Sequence, residues 1–146
     1  MRKMVIAVSA MAGLTIPMVA SSAAKRHVHF TSNVVGAQIS ATQSTYKIHD
    51  SVFGNGAGVQ TIKLNASATG GTDTETTYYG NGSAKSKGTF KLGLPDANGI
   101  LKVTGSGRDV SGTGVAKGLR STYTYAGTIN SKTLVIKVTL RGTYIY

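Results

Sequence analysis

The sequence predicts an all-β domain, and three observations carry that prediction. Beyond residue 24 no stretch repeats apolar residues at i, i+3 and i+4 over a helical length, and Gly or β-branched Thr breaks nearly every window. Period-two alternation recurs instead, as a half-buried strand requires. Asn-Gly and Gly-Gly dipeptides fall between the alternating runs, and such pairs accept the positive φ of hairpin turns at low cost.

Taken in order, residues 1–24 read as a secretory signal peptide. Arg2 and Lys3 form a positive start, residues 4–20 are uncharged and apolar, and Ser22, Ala23 and Ala24 place small residues where a signal peptidase reads them. A 17-residue run is at the lower limit for a membrane span, and Pro17 with the small-residue exit favours cleavage near Ala24. The expected product is secreted and carries no membrane span. Cleavage removes two of the 16 basic residues and leaves a net charge of +9 where the full chain has +11. The chain has no Cys, so its core is stabilised without disulfides, and thiolate chemistry is excluded.

Residues 25–33 are expected as a flexible arm, and residues 34–146 as the folded domain. Ala37, Ile39 and Ala41 suggest a first strand with small side chains. Tyr46 and Ile48 share one face, as do Ile62 and Leu64; Phe90, Leu92 and Leu94; Leu101 and Val103; and Tyr123 and Tyr125. Leu134, Ile136, Val138 and Leu140 form the longest stripe, with Lys137, Thr139 and Arg141 opposite. Turns are expected at Asn55-Gly56, Gly70-Gly71, Asn81-Gly82, residues 96–99 and Asn130-Ser131. Seven to nine strands joined by sequential hairpins give a sandwich or a closed barrel, and the order favours an up-and-down meander. The Thr- and Lys-rich faces opposite the stripes argue against an outer-membrane barrel, which needs an outward apolar band.

The most distinctive segment spans residues 105–118. Gly105 and Gly107 open it, but Val110 stands where a dinucleotide fingerprint needs Gly, and no helix follows. Bulges and close backbone approach explain these glycines better. The run Gly105-x-Gly107, Gly112-Thr113-Gly114, Lys117-Gly118, then Tyr123-x-Tyr125-x-Gly127-Thr128, resembles the allene oxide cyclase and dirigent barrel lineage. It is most similar to small secreted bacterial proteins with that barrel. The resemblance covers mainly residues 96–146 and more loosely 44–95. It implies an eight-stranded antiparallel up-and-down barrel that can form homo-oligomers, and an interior that guides small apolar substrates with the help of carboxylates.

Asp50 is the candidate catalytic carboxylate, because period two from Tyr46 and Ile48 turns it inward. The competing reading ends the strand near Asp50 and satisfies its carboxylate with turn amides. Asp73 and Glu75 lie beside an expected turn, Asp96 lies in one, and Asp109 falls in the glycine-rich segment. His49, Asp50 and Ser51 are adjacent and cannot assemble a triad on a strand. His27 and His29 share a strand face with His49 as a distant third ligand, and no metal or other cofactor is expected. Tyr46, Ile48, Phe90, Leu92, Tyr123 and Tyr125 are the candidate ligand-binding residues. The expected role is a non-catalytic secreted barrel that binds a small apolar ligand or serves an envelope structure. Two alternatives are a cyclase- or dirigent-like guide, and a cationic protein contacting anionic envelope polymers. No specific nucleic-acid partner is expected.

Overall fold

The computed structural model describes residues 25–146; the expected signal peptide, residues 1–24, lies outside them. Eight strands follow one another: β1 (His27–Gln38), β2 (Gln43–Asp50), β3 (Gly54–Leu64), β4 (Gly70–Tyr79), β5 (Gly82–Leu92), β6 (Ile100–Gly114), β7 (Arg120–Asn130) and β8 (Val135–Ile145). Each pairs antiparallel with its neighbours in sequence, and β1 closes on β8 to complete an up-and-down barrel. Among the described residues, no helix is long and apolar enough to cross a membrane.

Alternation sets the register. On β7 Ser121 and Tyr123 are buried while Thr122 and Thr124 are exposed. Every residue of the expected inner stripes from Tyr46 to Leu140 lines the interior, apart from Leu94. Leu94 lies beyond the end of β5 and is 88% exposed. The expected first strand, by contrast, has the wrong face inward. Ala37 faces outward, and Ile39 and Ala41 lie past the end of β1, because β1 turns its other face inward through Phe30, Ser32, Val34 and Gly36.

Residues 27–33 are not an arm. They form the first half of β1, paired with β8 from His27↔Ile145 onward and with β2 from Ser32↔Asp50. Polar and aromatic residues alternate there, so hydropathy alone gives a weak strand signal.

Turns also move. Asn55-Gly56 and Gly70-Gly71 lie inside β3 and β4, and the chain reverses at residues 51–53 and 65–69 instead. The tight turn at Asn81 is Gly80-Asn81, one residue earlier than expected, since Tyr79 already pairs with Gly82. Residues 96–99 turn as expected: Asp96 Oδ1 accepts from Asn98 N at 2.9 Å and Ile100 N at 2.8 Å, and Gly99 adopts φ +80°. At Asn130, the side-chain oxygen accepts from Lys132 N and Thr133 N at 2.9 and 3.0 Å.

The glycine-rich segment is mostly strand. β6 continues to Gly114 through a bulge near Val110, where Lys85 pairs with Ser111 but Ser86 pairs with Asp109. The extra residue keeps Asp109 inward and then Gly112 inward. Gly105 and Gly107 sit across from Tyr125 and Tyr123, and a Cβ on either would collide with those rings. A small barrel fits bulky inward residues only by alternating them with small ones, and here glycines provide the small positions.

Candidate functional site

The two ends of the barrel differ. At the end where β1 begins and β8 finishes, Phe30 stacks on Tyr144 with ring centroids 3.9 Å apart, and Phe53 packs edge-on against Tyr144 at 5.0 Å. Tyr79 adds a contact to Phe53 at 5.1 Å. The turn after β6 folds over the same end, where Ala116 and Leu119 join this cluster and are 0% and 2% exposed. These residues plug that mouth.

The opposite end is not plugged. A cavity of about 280 Å³ lies between Ile62, Leu64, Phe90, Leu92, Leu101, Val103, Ile129, Leu134, Ile136 and Val138. Leu64 and Leu134 at its rim are 43% and 44% exposed, so this mouth reaches solvent. Further in, Ser44, Gln60, Tyr125, Ile136 and Val138 also line a narrower cavity of about 70 Å³, walled by Tyr46, Glu75, Thr77 and Asp109 among others. The interior is therefore an apolar funnel that narrows onto a polar floor.

The barrel interior holds most of the protein's acid groups. Of five carboxylates in the sequence, Asp50, Asp73 and Asp109 are buried and Glu75 lines the inner cavity. Asp50, the sequence candidate, ends β2 with its carboxylate fully engaged. Its Oδ1 accepts from Val52 N at 2.7 Å and Phe53 N at 2.9 Å; its Oδ2 accepts from Ser32 Oγ at 2.6 Å and Tyr144 Oη at 2.8 Å. Four donors make it the anchor of the β2–β3 turn and of the aromatic plug.

Asp109 is similarly held. Ser86 Oγ and Ser121 Oγ donate to it at 2.8 and 2.6 Å. Burial raises its pKa, and the two serine hydrogen bonds oppose the rise.

Asp73 and Glu75 are different. They stand two apart on β4, so strand geometry turns both inward. One Gln60 amide donates to both, at 3.1 Å to Asp73 Oδ2 and 2.9 Å to Glu75 Oε1. Tyr125 Oη lies 3.5 Å from Asp73 Oδ2, which is long for a hydroxyl donor. Asp73 Oδ1 is buried with no partner. Burial raises the pKa of both acids, and for Glu75 the neighbouring Asp73 charge adds to burial, pushing it up to about 8. The pair therefore holds a proton near neutral pH. Burial also keeps the Tyr46, Tyr123 and Tyr125 hydroxyls protonated well beyond their ordinary range.

Compared with protein-family models, curated proteins and solved structures, the chain matches none.

The six expected ligand-binding residues all face the interior but not one spot. Tyr46, Ile48 and Tyr123 line the inner cavity, Phe90 and Leu92 the funnel, and Tyr125 both. The histidines stay outside and apart: His29 Nδ1 meets Thr143 Oγ1 at 3.1 Å, and His49 Nδ1 meets Asn55 Oδ1 at 2.8 Å. Sequence reasoning misses the pairing of Asp73 and Glu75 with Gln60. A signal exists, because counting back by twos from Tyr79 passes Thr77, Glu75 and Asp73.

Proposed function

We propose that this chain is a secreted, non-catalytic β-barrel that takes a small apolar molecule into its open half. One observation carries the reading: a solvent-reaching cavity of about 280 Å³ walled mainly by aliphatic and aromatic side chains, with Gln38, Ser44, Gln60 and Ser131 as its polar members, in a barrel plugged at its other end. Small-molecule sites are concave, largely apolar and served by a few placed polar groups, and this funnel has that composition. The closed eight-stranded meander agrees in shape with the allene oxide cyclase and dirigent lineage that the glycine and tyrosine motifs resemble. Fold alone does not assign a role, so the cavity bears the argument.

A second reading is favoured by a separate observation. Glu75 sits in the wall of the inner cavity with its pKa pushed up to about 8, so it holds a proton that a bound substrate could receive or return. A cyclase- or dirigent-like guide would use Glu75 in that role, whereas Asp50 is saturated by its four donors.

The test is native mass spectrometry of the protein purified from its producing cells, followed by titration with a lipophile library. The binding reading expects one retained or added apolar compound per barrel, and its loss in Val138→Trp, which fills the neck between the two cavities. An empty mass that no lipophile shifts would sink it.

A further inference from the structure

We propose that the interior site selects a neutral alcohol: a molecule whose apolar body fills the funnel and whose hydroxyl docks at the neck, between Ser44 and Gln60. This rests on the apolar-ligand reading and adds the head group.

The strand register builds a polar row inside the barrel. Gln38 pairs with Ser44, Ser44 with Gln60, Gln60 with Glu75, Glu75 with Ser86, and Ser86 with Asp109. Gln38 lines the outer cavity, Ser44 and Gln60 line both cavities, and the last three line the inner one. The row therefore descends from the open mouth toward the plug. Its lower half is partnered: Glu75 accepts from Gln60 at 2.9 Å, and Ser86 donates to Asp109 at 2.8 Å. The neck is not. Gln60 Nε2 donates to both Asp73 and Glu75, which fixes the orientation of the amide and leaves its carbonyl oxygen as a spare acceptor. Ser44 is 3% exposed. Among the described residues neither its hydroxyl nor the Gln60 carbonyl has a hydrogen-bond partner. Neither is sealed away from the cavities, because the one sealed and unpartnered side-chain oxygen is Asp73 Oδ1. Tyr125 lines the same neck, and its hydroxyl makes only long contacts, 3.4 Å to Thr89 O and 3.5 Å to Asp73 Oδ2.

These spare groups define the head group. Buried polar atoms almost always find partners, because leaving one unpaired costs the desolvation of that group. The Gln60 carbonyl needs a donor, and the Ser44 hydroxyl both donates and accepts. One ligand hydroxyl answers both, donating to Gln60 and accepting from Ser44 or Tyr125. Directly opposite side chains on neighbouring strands stand about 4.5–5.5 Å apart at Cβ, a spacing that one oxygen can bridge. A ketone or an ether would leave the Gln60 carbonyl unpaired. A carboxylate would set its charge against that carbonyl, and an ammonium group has no acceptor for the Ser44 proton. Ile62, Leu64, Phe90 and Leu92 wall the cavity above the neck, so the rest of the molecule must be apolar.

The experiment is calorimetric titration of the purified protein at pH 7 with 1-octanol and with heptyl methyl ether, an isomer that lacks the hydroxyl donor. A wholly apolar pocket would favour the ether, because the alcohol would bury an unpaired O–H. The neck reverses that order, and octanol should bind about three- to tenfold tighter, as the net worth of a neutral hydrogen bond implies. Ser44→Ala and Gln60→Leu should each remove that preference while the ether still binds, which also shows that each variant is folded. Ser131→Ala should keep it, since the Ser131 hydroxyl lines the same funnel but already donates to Gly99 O at 2.9 Å. If the ether equals or exceeds octanol in the wild type, the alcohol inference is overturned and the apolar-ligand reading stands. A preference that survives both neck substitutions, or that Ser131→Ala removes as well, places the hydroxyl elsewhere and overturns it too. If neither compound binds, the apolar-ligand reading falls, and the alcohol inference with it.

Discussion

Four interior carboxylates do two different jobs, and the distinction lies in their donors. Asp50 and Asp109 each receive short hydrogen bonds on both oxygens, so they tie strands and turns together. Glu75 shares one amide with Asp73 and keeps a pKa near 8. A carboxyl whose folded pKa is raised binds more protons folded than unfolded through the interval between the two values. Stability must then fall as pH rises from about 4.5 to about 8, by about 1.4 kcal/mol for each pH unit crossed. The carboxyls that face Glu75 act in the same direction, since Asp73 and Asp109 are raised by burial, and the hydroxyls of Tyr46, Tyr123 and Tyr125 stay neutral throughout and add no pH dependence. Denaturant unfolding at pH 5, 7 and 9 should show the wild type weakening by a few kcal/mol while Glu75→Gln weakens much less. Equal slopes for the two proteins would mean that Glu75 titrates normally.

Strands with one apolar face can be placed from the sequence, and strands with two polar faces cannot. The stripe from Ile136 to Leu140 fixes its own register because a one-residue slip would put it in water. On β4 the inward Asp73, Glu75 and Thr77 alternate with outward Thr72, Thr74 and Thr76, so hydropathy chooses neither face. That ambiguity hides the candidate site. Asp50 is the reverse case: its inward direction and its two turn amides, Val52 N and Phe53 N, are legible, as the reading that ends the strand there expects, but its other two donors come from Ser32 and Tyr144, 18 and 94 residues away. The glycines of β6 follow the same division. Their presence is obvious, while their purpose depends on rings of the next strand. At Gly107 all three nearest atoms to an added Cβ belong to the Tyr123 side chain, two ring carbons and the hydroxyl oxygen, at 2.6 to 2.7 Å. Gly107→Ala should therefore cost about 1–3 kcal/mol, the usual range for overpacking. In a Tyr123→Leu background, where those ring atoms are gone, the same substitution should cost much less. A double-mutant cycle by urea unfolding measures the difference, and additive costs would assign Gly107 a backbone role instead.

Charge is sorted across the wall of the barrel. The lysines and arginines of the described residues are exposed, and of the carboxylates only Asp96 is, so the outside is more positive than the net charge suggests. Composition announces the excess but not its segregation, which requires knowing that four acids point inward. Four adjacent strands concentrate the effect. Lys87 on β5 lies directly opposite Arg108 on β6, and Arg141 on β8 joins them along a shallow outer groove with Ser106, Thr122 and Thr124. Like charges placed opposite each other weaken a sheet, and a polyanion lying across the groove would relieve that repulsion. Binding driven by such contacts must weaken steeply with salt, because the charges are exposed and screened within about 8 Å at physiological ionic strength. Retention on a heparin column should therefore fall between about 50 and 300 mM salt, where the screening length drops from about 14 to about 6 Å. The triple substitution Lys87→Gln, Arg108→Gln, Arg141→Gln should shift elution to lower salt by more than Lys47→Gln, Lys63→Gln, Lys102→Gln, which removes the same charge elsewhere on the wall. Equal shifts would show that the column reads total charge alone and that the groove has no special part in it. Octanol binding should be the same in both triple variants, since the funnel and the groove lie on opposite sides of the barrel wall.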